Sequence, residues 1–131
     1  MWLRRAVLAL LCVWFVAGPA GAGDLDDFNA AMEKAQAHHR LALGYLSSDK
    51  IDLATYEIER MREAWDALVG QFGPKPPDTL AGNELYVVTL TDVSTRLVTA
   101  LIMINIGRPD IARDALEPVG GALSQLQQAV R

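Results

Sequence analysis

Six consecutive residues, Gly73-Pro74-Lys75-Pro76-Pro77-Asp78, constrain this chain more than any other feature. Proline lacks a backbone N–H, fixes φ and pushes its predecessor away from helical backbone, so no regular element passes through such a block. What lies on either side has helical period. Upstream, a first helix is predicted over about 26–47, with the apolar seam Leu25, Phe28, Met32, Ala35, His39, Ala42 and Leu46. Asp24, Asp26 and Asp27 are expected at its start, where the helix dipole favours negative charge. A second helix follows Ser47-Ser48-Asp49-Lys50 on the seam Ile51, Ala54, Ile58, Met61, Trp65, Leu68 and Phe72, with Trp65 as the expected core anchor. The dense charged run Glu57, Glu59, Arg60, Arg62, Glu63 reads as a solvated face, with Glu59 pairing Arg62.

Downstream, a third helix is predicted over about 83–106 on the seam Tyr86, Leu90, Val93, Leu97, Ala100 and Ile104, widened by Val87, Val98, Leu101 and Ile102. It is the most hydrophobic element, but Asp92, Arg96 and several threonines interrupt it, which predicts a central bundle helix and not a membrane span. Gly107-Arg108-Pro109-Asp110 closes it and opens a fourth helix on Ala112, Leu116, Val119, Leu123, Leu126 and Val130. Pro118 with Gly120-Gly121 is expected to interrupt and kink that helix.

The two halves repeat each other. A shift of 58 residues lays Asp52-Leu53-Ala54 on Asp110-Ile111-Ala112, and Leu43, Leu46, Ile58, Trp65 and Leu68 on Leu101, Ile104, Leu116, Leu123 and Leu126. Each half is therefore an αα-hairpin with a tight turn. The turns look locally like tetratricopeptide turns, with Ala54 and Ala112 as the small contact residues, but those repeats return every ~34 residues. The prediction is an all-α antiparallel four-helix bundle occupying 23–131, built from hairpins over about 25–72 and 83–130 joined by a proline-rich linker at 73–82.

Residues 1–22 carry Arg4-Arg5, an apolar run from Ala6 to Val16, and Ala17-Gly18-Pro19-Ala20-Gly21-Ala22. That is the basic start, hydrophobic core and small-residue cleavage site of a signal peptide. The run is shorter than the ~20 residues of a helical span, which favours cleavage over a retained anchor. The arginine pair resembles a twin-arginine signal, but Leu3 stands where a polar residue belongs, so the general secretory route is expected. The localisation this implies is periplasmic or secreted. Removing Arg4 and Arg5 leaves 10 basic against 16 acidic residues, a net charge of −6. An acidic chain is a poor partner for nucleic acid or anionic membranes. Cleavage also removes the single cysteine, Cys12, and with it any disulfide, thiolate nucleophile or C-x-x-C-H haem attachment.

His38 and His39 are the two histidines, and they carry the chemistry open to this chain. His39 lies on the seam of the first helix and His38 on its flank. The turn register sets His39 near Ile58, with Met61 about one turn away, so an imidazole and a thioether can in principle hold copper or haem between them. His38 and His39 are the metal-ligand candidates; His39 and Met61 are the cofactor candidates. The plainer expectation is that His39 is a core or boundary residue bonded to a carboxylate such as Glu57. Met103 and the aromatics Phe28, Tyr45, Tyr56, Phe72 and Tyr86 read as core filling, and no Ser/His/Asp set, phosphate-binding glycine loop or H-E-x-x-H is present.

Export, length, four helices, an acidic surface and seams of Leu, Ala, Met and Trp resemble the cytochrome c-prime-like bundles of bacterial periplasms. The resemblance implies a shared scaffold only, because the family's C-x-x-C-H in the last helix is replaced here by Gly120-Gly121-Ala122-Leu123-Ser124. No haem ligand transfers. The sequence therefore predicts an exported, non-enzymatic bundle that binds a partner protein or small ligand, with no stable membrane insertion after signal cleavage and with a homodimer possible. The alternative is a haem- or copper-binding electron carrier using His39 with Met61.

Overall fold

The structure, a computed structural model, describes residues 20–130, with side chains from Asp24 onward. The expected signal peptide lies almost wholly outside the described residues. Four helices follow in order: α1 (Ala20–Ser47), α2 (Ile51–Phe72), α3 (Glu84–Asn105) and α4 (Pro109–Ala129), with a short 3-10 turn at Asp78–Leu80 inside the proline linker. Each helix packs on its sequence neighbour, and α4 closes against α1, giving an up-down-up-down bundle.

α1 begins six residues earlier than expected, within the small residues where cleavage is expected. No proline stands between Ala20 and Asp26, and the alanines there favour helix although Gly21 and Gly23 do not. In the uncut chain Asp24, Asp26 and Asp27 therefore sit past the first turn of this helix. At the other boundaries the chemistry is local. Asn83 caps α3 by accepting a hydrogen bond from the Leu85 N–H at 2.9 Å, and Pro109 occupies the start of α4, where its missing N–H costs nothing.

The seams pack as read. Phe28, Met32, Ala35 and Ala42 of α1 and Ala54, Ile58, Met61, Trp65, Leu68 and Phe72 of α2 are buried together with the predicted seams of α3 and α4, of which only Ile104 is partly exposed. Leu80 from the linker plugs one end of the core beside the edge-to-face pair Phe28 and Phe72, whose ring centroids lie 5.4 Å apart. The widening of the α3 seam is not borne out for Val87, Val98 and Ile102, which point to solvent. Those three positions lie beyond the inward arc that α2 and α4 cover.

The 58-residue repeat extends to the turn hydrogen bonds. Lys50 N–H to Tyr45 O, Asp49 N–H to Leu46 O and Ala54 N–H to Lys50 O recur as Arg108 N–H to Met103 O, Gly107 N–H to Ile104 O and Ala112 N–H to Arg108 O. Both turns are Schellman caps with a left-handed residue at the same place, Asp49 (φ 59°) and Gly107 (φ 82°). The core follows: Phe28, Met32, Ala35 and Ala42 correspond to Tyr86, Leu90, Val93 and Ala100, all buried.

α4 runs unbroken through Pro118, Gly120 and Gly121, contrary to the expected interruption. Pro118 and Asp114 are both exposed, so the carbonyl that the proline deprives of a donor sits on the solvent side of the helix.

Candidate functional site

Polar side chains tie the four helices at every interface. Between α1 and α2, His38 Nδ1 donates to Glu57 Oε2 at 2.6 Å. Between α3 and α4, Arg96 Nη1 donates to the Ala115 carbonyl at 3.2 Å. These are the same two positions under the 58-residue shift. Between α2 and α3, Trp65 Nε1 donates to Leu90 O at 3.2 Å, and the Tyr86 hydroxyl caps the carbonyl of Phe72 at the end of α2. Between α1 and α4, His39 Nε2 donates to Leu116 O at 2.7 Å, and Gln36 Nε2 reaches Gly120 O and Ser124 Oγ.

The two histidines thus face different helices. Successive residues on a helix point ~100° apart, and here His38 meets α2 while His39 meets α4. The carboxylate expected for His39 belongs to His38, and Glu57 is buried, not part of the solvated run. Within that run the pairs are Arg60 with Glu63 and Arg62 with Asp66. A carbonyl and a carboxylate only accept, so the partners place the proton on Nε2 of His39 and on Nδ1 of His38. For a metal to take Nε2 of His39, the bond to Leu116 would have to break. Nε2 of His38 is free and its ring is oriented by a carboxylate, the arrangement that steadies an imidazole ligand. Among the described residues, however, no three His, Cys, Asp or Glu side chains gather closely enough to hold a metal ion. Met61 is fully buried among the core residues of α2.

His39 also accounts for Gly120, which gave no signal as a site residue. A Cβ built on Gly120 would stand 2.9 Å from Cε1 and 3.3 Å from Nδ1 of His39. The imidazole brings its Cε1 edge against a helix surface that glycine leaves open. Its counterpart in the second hairpin is Leu97, so the first hairpin has spent a core aliphatic position on a polar pin to α4.

The second unusual region is the outer face of α3. Val87 and Val88 are each 63 % exposed, Ile102 51 % and Ile106 62 %, with Val98 beside them and Thr91 and Thr95 between. Between Leu85 and Ile106 the helix carries two charges, Asp92 and Arg96, and these pair with each other at 2.9 Å. By length and composition α3 is apolar enough to cross a membrane, yet only 28 % of its most apolar stretch is buried. At its start the face runs into an apolar groove of about 450 Å3 lined by Pro76, Leu80, Tyr86, Val87 and Val88.

Neither a protein family, nor a curated protein, nor a solved structure matches this chain. The internal repeat supplies the comparison that relatives would otherwise give. On α1, the residues corresponding to Val87, Thr91, Val98, Ile102 and Ile106 are Asn29, Glu33, Arg40, Gly44 and Ser48. Val88, Thr95 and Thr99 correspond to Ala30, Ala37 and the half-exposed Leu41, so the contrast lies at Val87, Val98, Ile102 and Ile106, where one copy carries large aliphatics and the other does not. The fold does not require an apolar surface there. The signal was present in the sequence, in the 58-residue alignment read for its exposed positions as well as for its seam.

Proposed function

We propose that this chain is an exported, non-enzymatic helical-bundle protein that acts in the periplasm by binding a partner protein or small ligand, and that the outer face of α3 is its binding surface. The observation that carries the reading is the contrast between the exposed Val87, Val98, Ile102 and Ile106 and their counterparts on the first hairpin, Asn29, Arg40, Gly44 and Ser48. Exposed aliphatic side chains gain nothing from water, and a contiguous uncharged stripe of them on an acidic chain is the signature of a surface that is covered in use. The groove beneath Val87 and Val88 extends the same apolar surface into a concave site. The likeness to cytochrome c-prime-like bundles supports a shared scaffold and supplies no ligand.

The test is capture from the envelope fraction of the host with the wild-type chain and with Ile102→Glu as bait. Ile102 is half exposed, so the substitution leaves the core intact. A partner or ligand held by the wild type and lost by the variant supports the reading; equal recovery with both baits, or none with either, refutes it.

A further inference from the structure

A groove of about 390 Å3 runs between α1 and α4, and all five residues that line it, Glu33, Gln36, Arg40, Ser124 and Gln127, carry hydrogen-bonding side chains. Glu33, Gln36 and Arg40 stand at i, i+3 and i+7 on α1, so one stripe carries an anion at one end, a cation at the other and an amide between. Arg40 is set apart from its fellow arginines. Arg60, Arg62, Arg96, Arg108 and Arg113 each meet a carboxylate two to four residues away, whereas Arg40 meets none among the described residues. The residues one turn from Arg40, namely Gln36, Ala37, Leu43 and Gly44, are uncharged, as are Asn29, Ala30, Gln36 and Ala37 around Glu33. We infer that this groove is a binding site for a short peptide with free ends, whose ammonium lies at Glu33, whose carboxylate lies at Arg40 and whose amides meet the two glutamines. The site shares no residue with the outer face of α3, and the inference does not rest on the reading of that face.

The unspent hydrogen-bonding capacity matches a peptide. Gln36 uses its amide nitrogen on Gly120 O at 3.3 Å and Ser124 Oγ at 3.2 Å, which leaves its Oε1 to accept and the Ser124 hydroxyl hydrogen to donate. Gln127 adds a second amide, with both an acceptor and donors. Each peptide unit offers the complement, one N–H and one C=O. The guanidinium fork of Arg40 suits a terminal carboxylate. The length of the ligand follows from the helix. Glu33 and Arg40 are separated by about 10.5 Å along the axis of α1, and an extended chain covers at most ~3.3–3.6 Å per residue, so a tripeptide bridges the two charges.

The two walls are held in register before any ligand arrives. The bonds from His39 to Leu116 O and from Gln36 to Gly120 O fix α1 on α4, so binding need not order the helices. The duplicated half has no such site. Its corresponding residues are Thr91, Ser94, Val98, Asp66 and Val69, a set without a cation, and Ser94 donates back to Leu90 O on its own helix. The packing common to both hairpins therefore requires neither the charged ends nor the glutamines. Glu33, Arg40 and Ser124 are exposed, so the contacts stay solvated and salt screens them. Such contacts give a dissociation constant on the order of a millimolar at low salt.

Titration of the protein isolated from its host with trialanine, followed by NMR at low salt, tests this. The expected result is a saturable shift of the Gln36, Ser124 and Gln127 signals that weakens as salt is added. Acetylating the peptide's amino end or amidating its carboxyl end weakens binding about three- to tenfold in each case. Arg40→Gln weakens trialanine by the same factor and no longer distinguishes it from the amidated peptide, and Glu33→Gln no longer distinguishes it from the acetylated one. Both side chains are exposed, so the signals of the core stay where they are in the wild type. Absence of a saturable shift at these residues up to tens of millimolar peptide overturns the inference, as does equal binding of free and capped peptides by the wild type. A shift that saturates at Val87 and Val88 instead also overturns it, while leaving the reading of the α3 face intact.

Discussion

Gly120 and Gly121 are neighbours in the middle of one helix, and replacing each by alanine separates the His39 pin from ordinary helix energetics. Glycine in a helix interior is worse than alanine by about 1 kcal/mol, partly through the freedom of the unfolded chain. That term is common to both variants. At Gly121 nothing lies within 4 Å of the new methyl group, so the full gain of about 1 kcal/mol is expected. At Gly120 the methyl group would stand 2.9 Å from the His39 ring. Either the ring stays and the contact strains the α1–α4 interface, at about 1–3 kcal/mol, or it withdraws and leaves a buried donor unpaired, at a similar cost. The two alanine variants should therefore differ by about 1–3 kcal/mol. For a domain of this size each kcal/mol moves the melting temperature by about 4–8 °C, so calorimetry resolves the gap. In a His39→Ala background the gap should vanish, since the two sites are coupled only through the ring. Equal stabilisation by Gly120→Ala and Gly121→Ala in the wild-type background would refute the placement of His39 on α4.

Asp49 holds a left-handed backbone that its counterpart assigns to Gly107; Asp49→Gly should stabilise by up to about 1 kcal/mol and Gly107→Ala should destabilise by about 1–2 kcal/mol, read as urea midpoints. Trp65 is fully buried, and Trp65→Ala should cost about 3–5 kcal/mol; an unchanged melting temperature would show that it does not anchor the core. Burial holds the Tyr86 hydroxyl above its usual value of 10.0. The neutral phenol is the form the fold prefers, so its contribution is whole below about pH 10 and drains away as pH rises through the folded-state value. Tyr86→Phe should flatten that alkaline limb, and a urea series at rising pH with identical slopes for both proteins would contradict it. At the start of α4, the Arg108 guanidinium keeps the exposed Asp110 carboxyl below its ordinary range. Any stability from this pair is present above the unfolded-state value and lost as pH falls; being fully solvated it is small, so Asp110→Asn should lie slightly below the wild type at neutral pH and converge with it in acid, read as urea midpoints across pH.

Periodicity carried the architecture because burial repeats with the helix. Apart from Ile51 at its start, every seam residue of α2, and all of those of α4, are buried where a 3.6-residue period places them, and the paired turns obey the 58-residue shift down to individual hydrogen bonds. The site was legible only in part. That His39 sits on a buried stripe followed from spacing, but which neighbour it meets depends on α4, a helix 77 residues away whose approach no local pattern encodes. The failure at Glu57 has the same origin: a charge inside a charged run looks solvated until a partner from α1, His38, is brought to it. Val87, Val98 and Ile102 show the opposite error, since apolar residues on an apolar helix read as core although a helix in a bundle can bury only one arc. Two copies of one hairpin must satisfy the same packing, so whatever the fold demands appears in both, and whatever appears in one alone was selected for something else. By that criterion His39, the counterpart of Leu97, and the exposed aliphatics on the outer face of α3 are both departures from the shared packing, and the second is open to solvent.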